Sequence, residues 1–175
     1  TIGRHDVNAV TVHYANRQTG YGPIVAGEKG VTYFTFRQVA SKGIWYLKDA
    51  KPDPALPKRN ITQQVKTTPA ETLGALREAQ TDGVIEGHED GLAAWMVRVP
   101  AGATVASPVH PAGSGRYFMV FGGSMRVQGE ELPVNSTTFV SHDEKDFAIT
   151  AGAGGLEVLV LQYPGGQRVW ERRAK

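Results

Sequence analysis

The sequence contains no cysteine, which removes disulfide staples, thiolate nucleophiles and sulfur-ligated metals together. A cysteine-free chain folds in either redox environment, so that absence chooses no compartment. Long hydrophobic runs are missing as well. No stretch approaches the roughly 18 apolar residues that a membrane span needs. Neither sign of charge dominates: 19 Lys and Arg stand against 17 Asp and Glu, which leaves no electrostatic footprint for nucleic acid. The basic ending RVWERRAK is short and includes Glu171. The chain begins at Thr1 with neither an initiating Met nor an apolar leader. A mature exported chain and a trimmed cytoplasmic one both fit, and localisation stays open.

What remains is an ordinary folding composition, 41% apolar and 21% charged over 175 residues, suited to one domain and cramped for two. Val10 and Val12 alternate with polar neighbours. The runs VTYFTF at 31–36 and IWYLKD at 44–49 are rich in β-branched and aromatic residues and predict two strands. Pro52, Pro54 and Pro57 predict a surface loop over 50–60. One helix is signalled, with Thr68 as cap, Pro69 in the first turn and Glu71 completing a capping box. Leu73, Leu76 and Ala79 recur at helical spacing, and Asp82-Gly83 ends the run.

After Gly83 the pattern is strand after strand: LAAWMVRVP at 92–100, YFMVFGG at 117–123 continuing through Ser124–Val127, TTFV at 137–140, DFAI at 146–149 and LEVLVLQYP at 156–164. Short strands between Gly and Pro turns, without a βα repeat, predict an all-β sandwich or barrel. Alternation places Arg116, Phe118 and Val120 on one strand face and Tyr117, Met119 and Phe121 on the other.

Residues 92–164 resemble the cupin superfamily, the double-stranded β-helix or jelly-roll barrels of the RmlC-like kind. A typical cupin has a strand ending in Pro-Gly, then two histidines one residue apart, a glutamate, and a strand ending in Gly. Here those positions read Pro100-Ala101-Gly102, Pro108 and His110, Arg116, and Tyr117 to Gly123. The family's second motif falls loosely on Asn135-Ser136, Ser141 and Lys145-Asp146. The resemblance implies a single cupin-like domain over 1–175, with 1–83 as N-terminal strands, loop and one short helix and 84–164 as the barrel core. It also implies that Arg116 faces inward.

The departures decide the chemistry expected. Pro108 has no imidazole, and the guanidinium of Arg116 cannot deprotonate and repels cations. Of the family's metal ligands only His110 stands, so no metal and no cofactor are expected. Arg116 beside His110 suits recognition of a carboxylate or other oxyanion. Asp146, near the third-ligand position, would pair with Arg116 or orient His110. His110, Arg116 and Asp146 are therefore the candidate site, for a metal-independent isomerase, epimerase or lyase acting on a polar or anionic small molecule. Two alternatives stay open: a ligand-binding or structural cupin without turnover, and a metal-dependent oxygenase or isomerase using a displaced site around His110 and His142-Asp143-Glu144. A homodimer is expected, because the N-terminal strands would cover an exposed sheet edge.

Overall fold

A computed structural model describes residues 1–38, 46, 48–51, 54–55, 58–144 and 147–166. The chain divides into two compact units, Thr1–Lys66 and Thr67–Lys175.

In the first unit, β1 (Thr11–Ala15) and β2 (Asn60–Gln64) form an antiparallel ribbon, with Thr11 opposite Gln64 and His13 opposite Thr62. Alternation sends Val12 to a buried face and gathers polar side chains on the other. The N-terminus is tied down by backbone bonds from Gly3 N–H to Pro23 O and from Val25 N–H to Thr1 O. The strand expected at 31–36 does not form. Residues 31–37 join no ladder, Tyr33 and Phe34 stay exposed, and Phe34 and Phe36 stack on each other at 6.3 Å. A strand sequence without a neighbour to take its backbone bonds remains an extended loop. For the strand expected at 44–49, residues 44, 45 and 47 lie outside the described residues. Of the rest, Tyr46 is exposed and its carbonyl accepts a bond from Asp49 N–H.

The second unit is mainly β with one short helix, as expected. In chain order it holds α1 (Ala70–Gly74), β3 (Gln80–Ile85), β4 (Ala93–Val99), β5 (Thr104–Ala106), β6 (Gly113–Val127), β7 (Glu130–Pro133), β8 (Thr137–Val140) and β9 (Ala148–Pro164). All pairings are antiparallel. The sheet runs β3-β4-β9-β6-β7, with β5 added on β9 and β8 on β6. The helix is shorter than its capping signals predict. Thr68 makes no cap, because its hydroxyl bonds Glu157 and Arg98 instead. Residues 80–85 leave the helical pattern to pair with β4. Ladder bonds and an Arg98–Asp82 ion pair override a local helical preference there.

The two expected strands at 146–149 and 156–164 are one: β9 runs 17 residues beside the 15-residue β6. These long strands bend together where Gly123 (φ +65°) meets Gly155. A Cβ on Gly123 would stand 1.9 Å from the Gly155 carbonyl oxygen. The bend lets the first half of β9 lie beside β5 and the end of β6, while its second half lies between β4 and the start of β6. The sheet thereby wraps one apolar core of Val97, Val99, Phe118, Val120, Met125, Val140, Ile149, Leu156, Val158 and Val160. Among the described residues no helix is long and apolar enough to cross a membrane.

Candidate functional site

Phe118 and Val120 are fully buried in this core, so the face they share with Arg116 is the inner one. Arg116 sits at the mouth end of β6, only 8% exposed, opposite Gln162 on β9 and Val140 on β8. Its Nη1 donates to Ser107 Oγ at 2.8 Å and to the Pro108 carbonyl at 3.1 Å. The guanidinium carbon lies 5.7 Å from the centre of the Phe118 ring, within cation–π reach. A buried cation is thus held by a lip loop on one side and an aromatic face on the other.

His110 belongs to the same loop but plays a different part. Its Nδ1 accepts the Ala112 N–H at 3.2 Å, so the neutral ring carries its proton on Nε2. The side chain can therefore offer a donor from Nε2. Taking a proton there would require the other tautomer and loss of the Ala112 bond. Its backbone is clamped by Gln162, whose Oε1 accepts His110 N–H at 3.0 Å and whose Nε2 donates to His110 O at 2.9 Å and Gly91 O at 2.8 Å. Gln162 is 2% exposed, and the clamp fits because residue 113 is glycine. A Cβ there would lie 1.6 Å from the Gln162 amide nitrogen. The structure thus ties Arg116 to the start of the 107–112 loop and His110 to its end. Asp146, the third expected member, lies outside the described residues.

A cavity of about 330 Å³ is lined by Val127, Gln128, Thr138, Phe139, Val140, Glu144 and Phe147. Two of these connect it to Arg116. Val140 is its partner across the ladder. Phe147 stacks on Phe118 at 4.7 Å, and its carbonyl accepts a bond from Ser107 N–H.

The His142-Asp143-Glu144 cluster is exposed. Ser141 bonds the Asp143 carboxylate through its hydroxyl and the Glu144 carboxylate through its N–H. The Ser141 bond, then the backbone, then His142 hold the Asp143 carboxyl below its ordinary range. These carboxylates serve their own turn. Among the described residues no three His, Asp or Glu side chains are grouped to hold a metal ion. A metal of the kind the sequence resemblance carries does not fit the residues present: where that resemblance expects a glutamate ligand, the inward charge is a buried guanidinium bonded to Ser107 and Pro108, which repels a cation.

Sequence reasoning missed a second buried polar group, on the outer sheet face. Arg98 and Glu157, paired across β4 and β9, are 7% and 1% exposed. Arg98 Nε donates to Glu157 Oε1 at 2.9 Å and to Thr68 Oγ1 at 2.6 Å, and Nη1 reaches Asp82 at 2.5 Å. Thr68 also donates to Glu157 through its hydroxyl and its N–H. Burial works against the Arg98 charge, but the bonds to Asp82 and Glu157 outweigh it and hold the guanidinium above its ordinary value. The available signal was a single charge of opposite sign inside each of two apolar runs, LAAWMVRVP and LEVLVLQYP. The network fastens the start of α1 to the sheet.

No family model matches the chain, and no curated protein does. Among solved structures it is similar to the Cupin_2 domain of an XRE-family transcriptional regulator from Enterobacter cloacae, at 18% identity and a TM-score of 0.41, covering 50% of this chain and 97% of that one. It is also similar to an RmlC-like cupin from Desulfovibrio desulfuricans, at 15% identity and TM-score 0.40, covering 50% and 83%. A third similarity is to a structure of Rhodobacter sphaeroides SigE in complex with the anti-sigma ChrR, at 15% identity and TM-score 0.37. That match covers 47% of this chain and 43% of the other, less than half of either. Each of these similarities is at low identity and covers about half of this chain.

Proposed function

We propose that the Thr67–Lys175 unit is a cupin-like module that binds a small anionic molecule, with Arg116 as the recognition group and no metal involved. The observation that carries this reading is the buried guanidinium on the inner face, set between Ser107, Pro108 and Phe118. Arg116 Nη1 is bonded to Ser107 and Pro108, and a guanidinium favours a carboxylate over a neutral group. His110, protonated on Nε2, adds a donor from the lip.

Turnover of that ligand by an isomerase, epimerase or lyase is the second reading. The neutral His110 tautomer can donate a hydrogen bond from Nε2, but proton transfer by this ring in either direction requires loss of the Ala112 bond. Binding needs nothing further and is the stronger conclusion. We also propose that the chain works as a homodimer. The exposed apolar run around Tyr33 and Phe34 supports that reading, since paired copies would shelter it.

Thermal unfolding with acetate, succinate and citrate, each against its amide or alcohol analogue, tests the binding reading. At about 100 times the Kd a ligand adds about 2.7 kcal/mol of stability. The expected result is a rise in Tm with at least one carboxylate, none with its neutral analogue, and none in Arg116→Met. An equal rise in Arg116→Met would overturn the assignment.

A further inference from the structure

The N-terminal unit holds a cleft of about 650 Å³, within the range of roughly 300–1,000 Å³ typical of small-molecule sites. Its floor is built by strand register. His13 faces Thr62 and Thr11 faces Gln64 across the β1–β2 ribbon, so Thr11, His13, Asn60, Thr62 and Gln64 share one face, and all five line the cleft. The opposite face buries Val12. A ribbon whose cleft face carries five polar side chains beside Ala15, turned into a concavity, is arranged for hydrogen bonding.

Above the floor, Tyr21 lies against the His13 ring with centroids 5.2 Å apart and the planes at 52°. It is 45% exposed and offers a flat ring to the cleft. Arg4 and Asp6 add one charge of each sign to the walls. His13 is the most constrained member: its Nδ1 is 2.9 Å from Thr62 Oγ1, while its Nε2 is buried without a hydrogen-bond partner. Burial, and then the nearby His5, lower its pKa, so the ring is neutral near pH 7.

These features select a ligand class. The Arg4 and Asp6 charges cancel and the floor is uncharged, so the lining has no bias toward an ion. A carboxylate would gain Arg4 but meet Asp6. Threonine hydroxyls, Asn and Gln amides and a neutral imidazole each combine a donor with an acceptor, as alcohol groups do. An aromatic ring beside such a floor stacks on the C–H face of a saturated ring. We propose that this cleft binds an uncharged, hydroxyl-rich small molecule, a sugar or cyclic polyol, on the polar face of the β1–β2 ribbon with Tyr21 as its stacking surface.

Saturation-transfer NMR on the full chain with D-glucose, D-galactose, myo-inositol and glucuronate provides the test. Transfer from at least one of the three neutral probes is expected, with affinity reduced at least tenfold in Tyr21→Ala and in Thr62→Val. Arg116→Met should bind that probe as the wild type does, which separates this site from the one proposed in the second unit. Tyr21 is exposed enough that its truncation leaves the fold intact, so it decides the matter if Thr62→Val fails to fold. Three results would overturn the proposal: no neutral probe binds, only glucuronate binds, or a neutral probe binds Tyr21→Ala undiminished.

Discussion

Arg98 and Arg116 are both buried arginines in one sheet, and they are held by different groups. Arg98 is matched by Glu157 and Asp82 on the outer face, so its charge is spent within the fold. Removing one partner of a buried pair costs about 3–5 kcal/mol, whereas an exposed pair contributes about 1 kcal/mol or less. Glu157→Ala should therefore lower the urea unfolding free energy by about 3–5 kcal/mol. Asp82→Asn, at a side chain 65% exposed, should lower it by no more than about 1 kcal/mol. Similar losses in both variants would contradict this division. His13 makes a pH prediction. Its pKa is lowered in the folded protein, first by burial and then by His5, so the folded state binds its proton less readily than the unfolded chain. Its contribution to stability is complete above the ordinary value of 6.5 and is lost as pH falls below it. Between pH 7.5 and 5, the wild type should lose more stability than His13→Gln, by denaturant unfolding at each pH. Parallel curves would refute it. Arg116 and His110 were legible in the sequence because a motif with known spacing pointed to them. Gln162 was not: a lone glutamine in LEVLVLQYP carries no sign that it will clamp a loop 52 residues away in sequence.

At the scale of elements, what decided each outcome was whether a partner was available. Apolar runs that became β4, β6, β8 and the second half of β9 were readable because they are rich in the β-branched, aromatic and other apolar residues that the sheet buries. Gln80–Ile85 lacks that pattern, and its six residues became strand through pairing with β4. VTYFTF has the pattern and no ladder. Local preference amounts to tenths of a kcal/mol per residue, and backbone pairing outweighs it. The glycines of β9 read as a turn and proved to be a bend within one strand. Gly123→Ala should cost at least about 1–3 kcal/mol in left-handed strain alone, with more from the Gly155 contact. Gly154→Ala, where a Cβ meets nothing within 4 Å, should stay within about 1 kcal/mol of wild type. Chemical denaturation of the two variants compares them directly. Equal effects would mean that the β6–β9 bend does not depend on close backbone approach.

For the whole molecule, the strand-rich reading of 92–164 coincides with β4 to β9. The N-terminal unit was the less legible part, since its ribbon joins strands 45 residues apart in sequence, from Ala15 to Asn60. Its polar floor exists only once register is set. A homodimer predicts a solution mass of twice the chain's 18.9 kDa by light scattering at micromolar concentration, and a monomeric mass would refute it. The central proposal is that the buried Arg116 recognises an anion. The most direct measurement follows the Arg116 side-chain N–H resonances by NMR while a carboxylate from the stabilising panel is titrated in. A saturable shift of those resonances is predicted, with the same midpoint as the thermal stabilisation and with affinity falling at least tenfold in Arg116→Lys, which keeps the charge but loses the fork. Resonances that stay still while the ligand binds elsewhere, or an Arg116→Lys protein that binds as tightly, would contradict it.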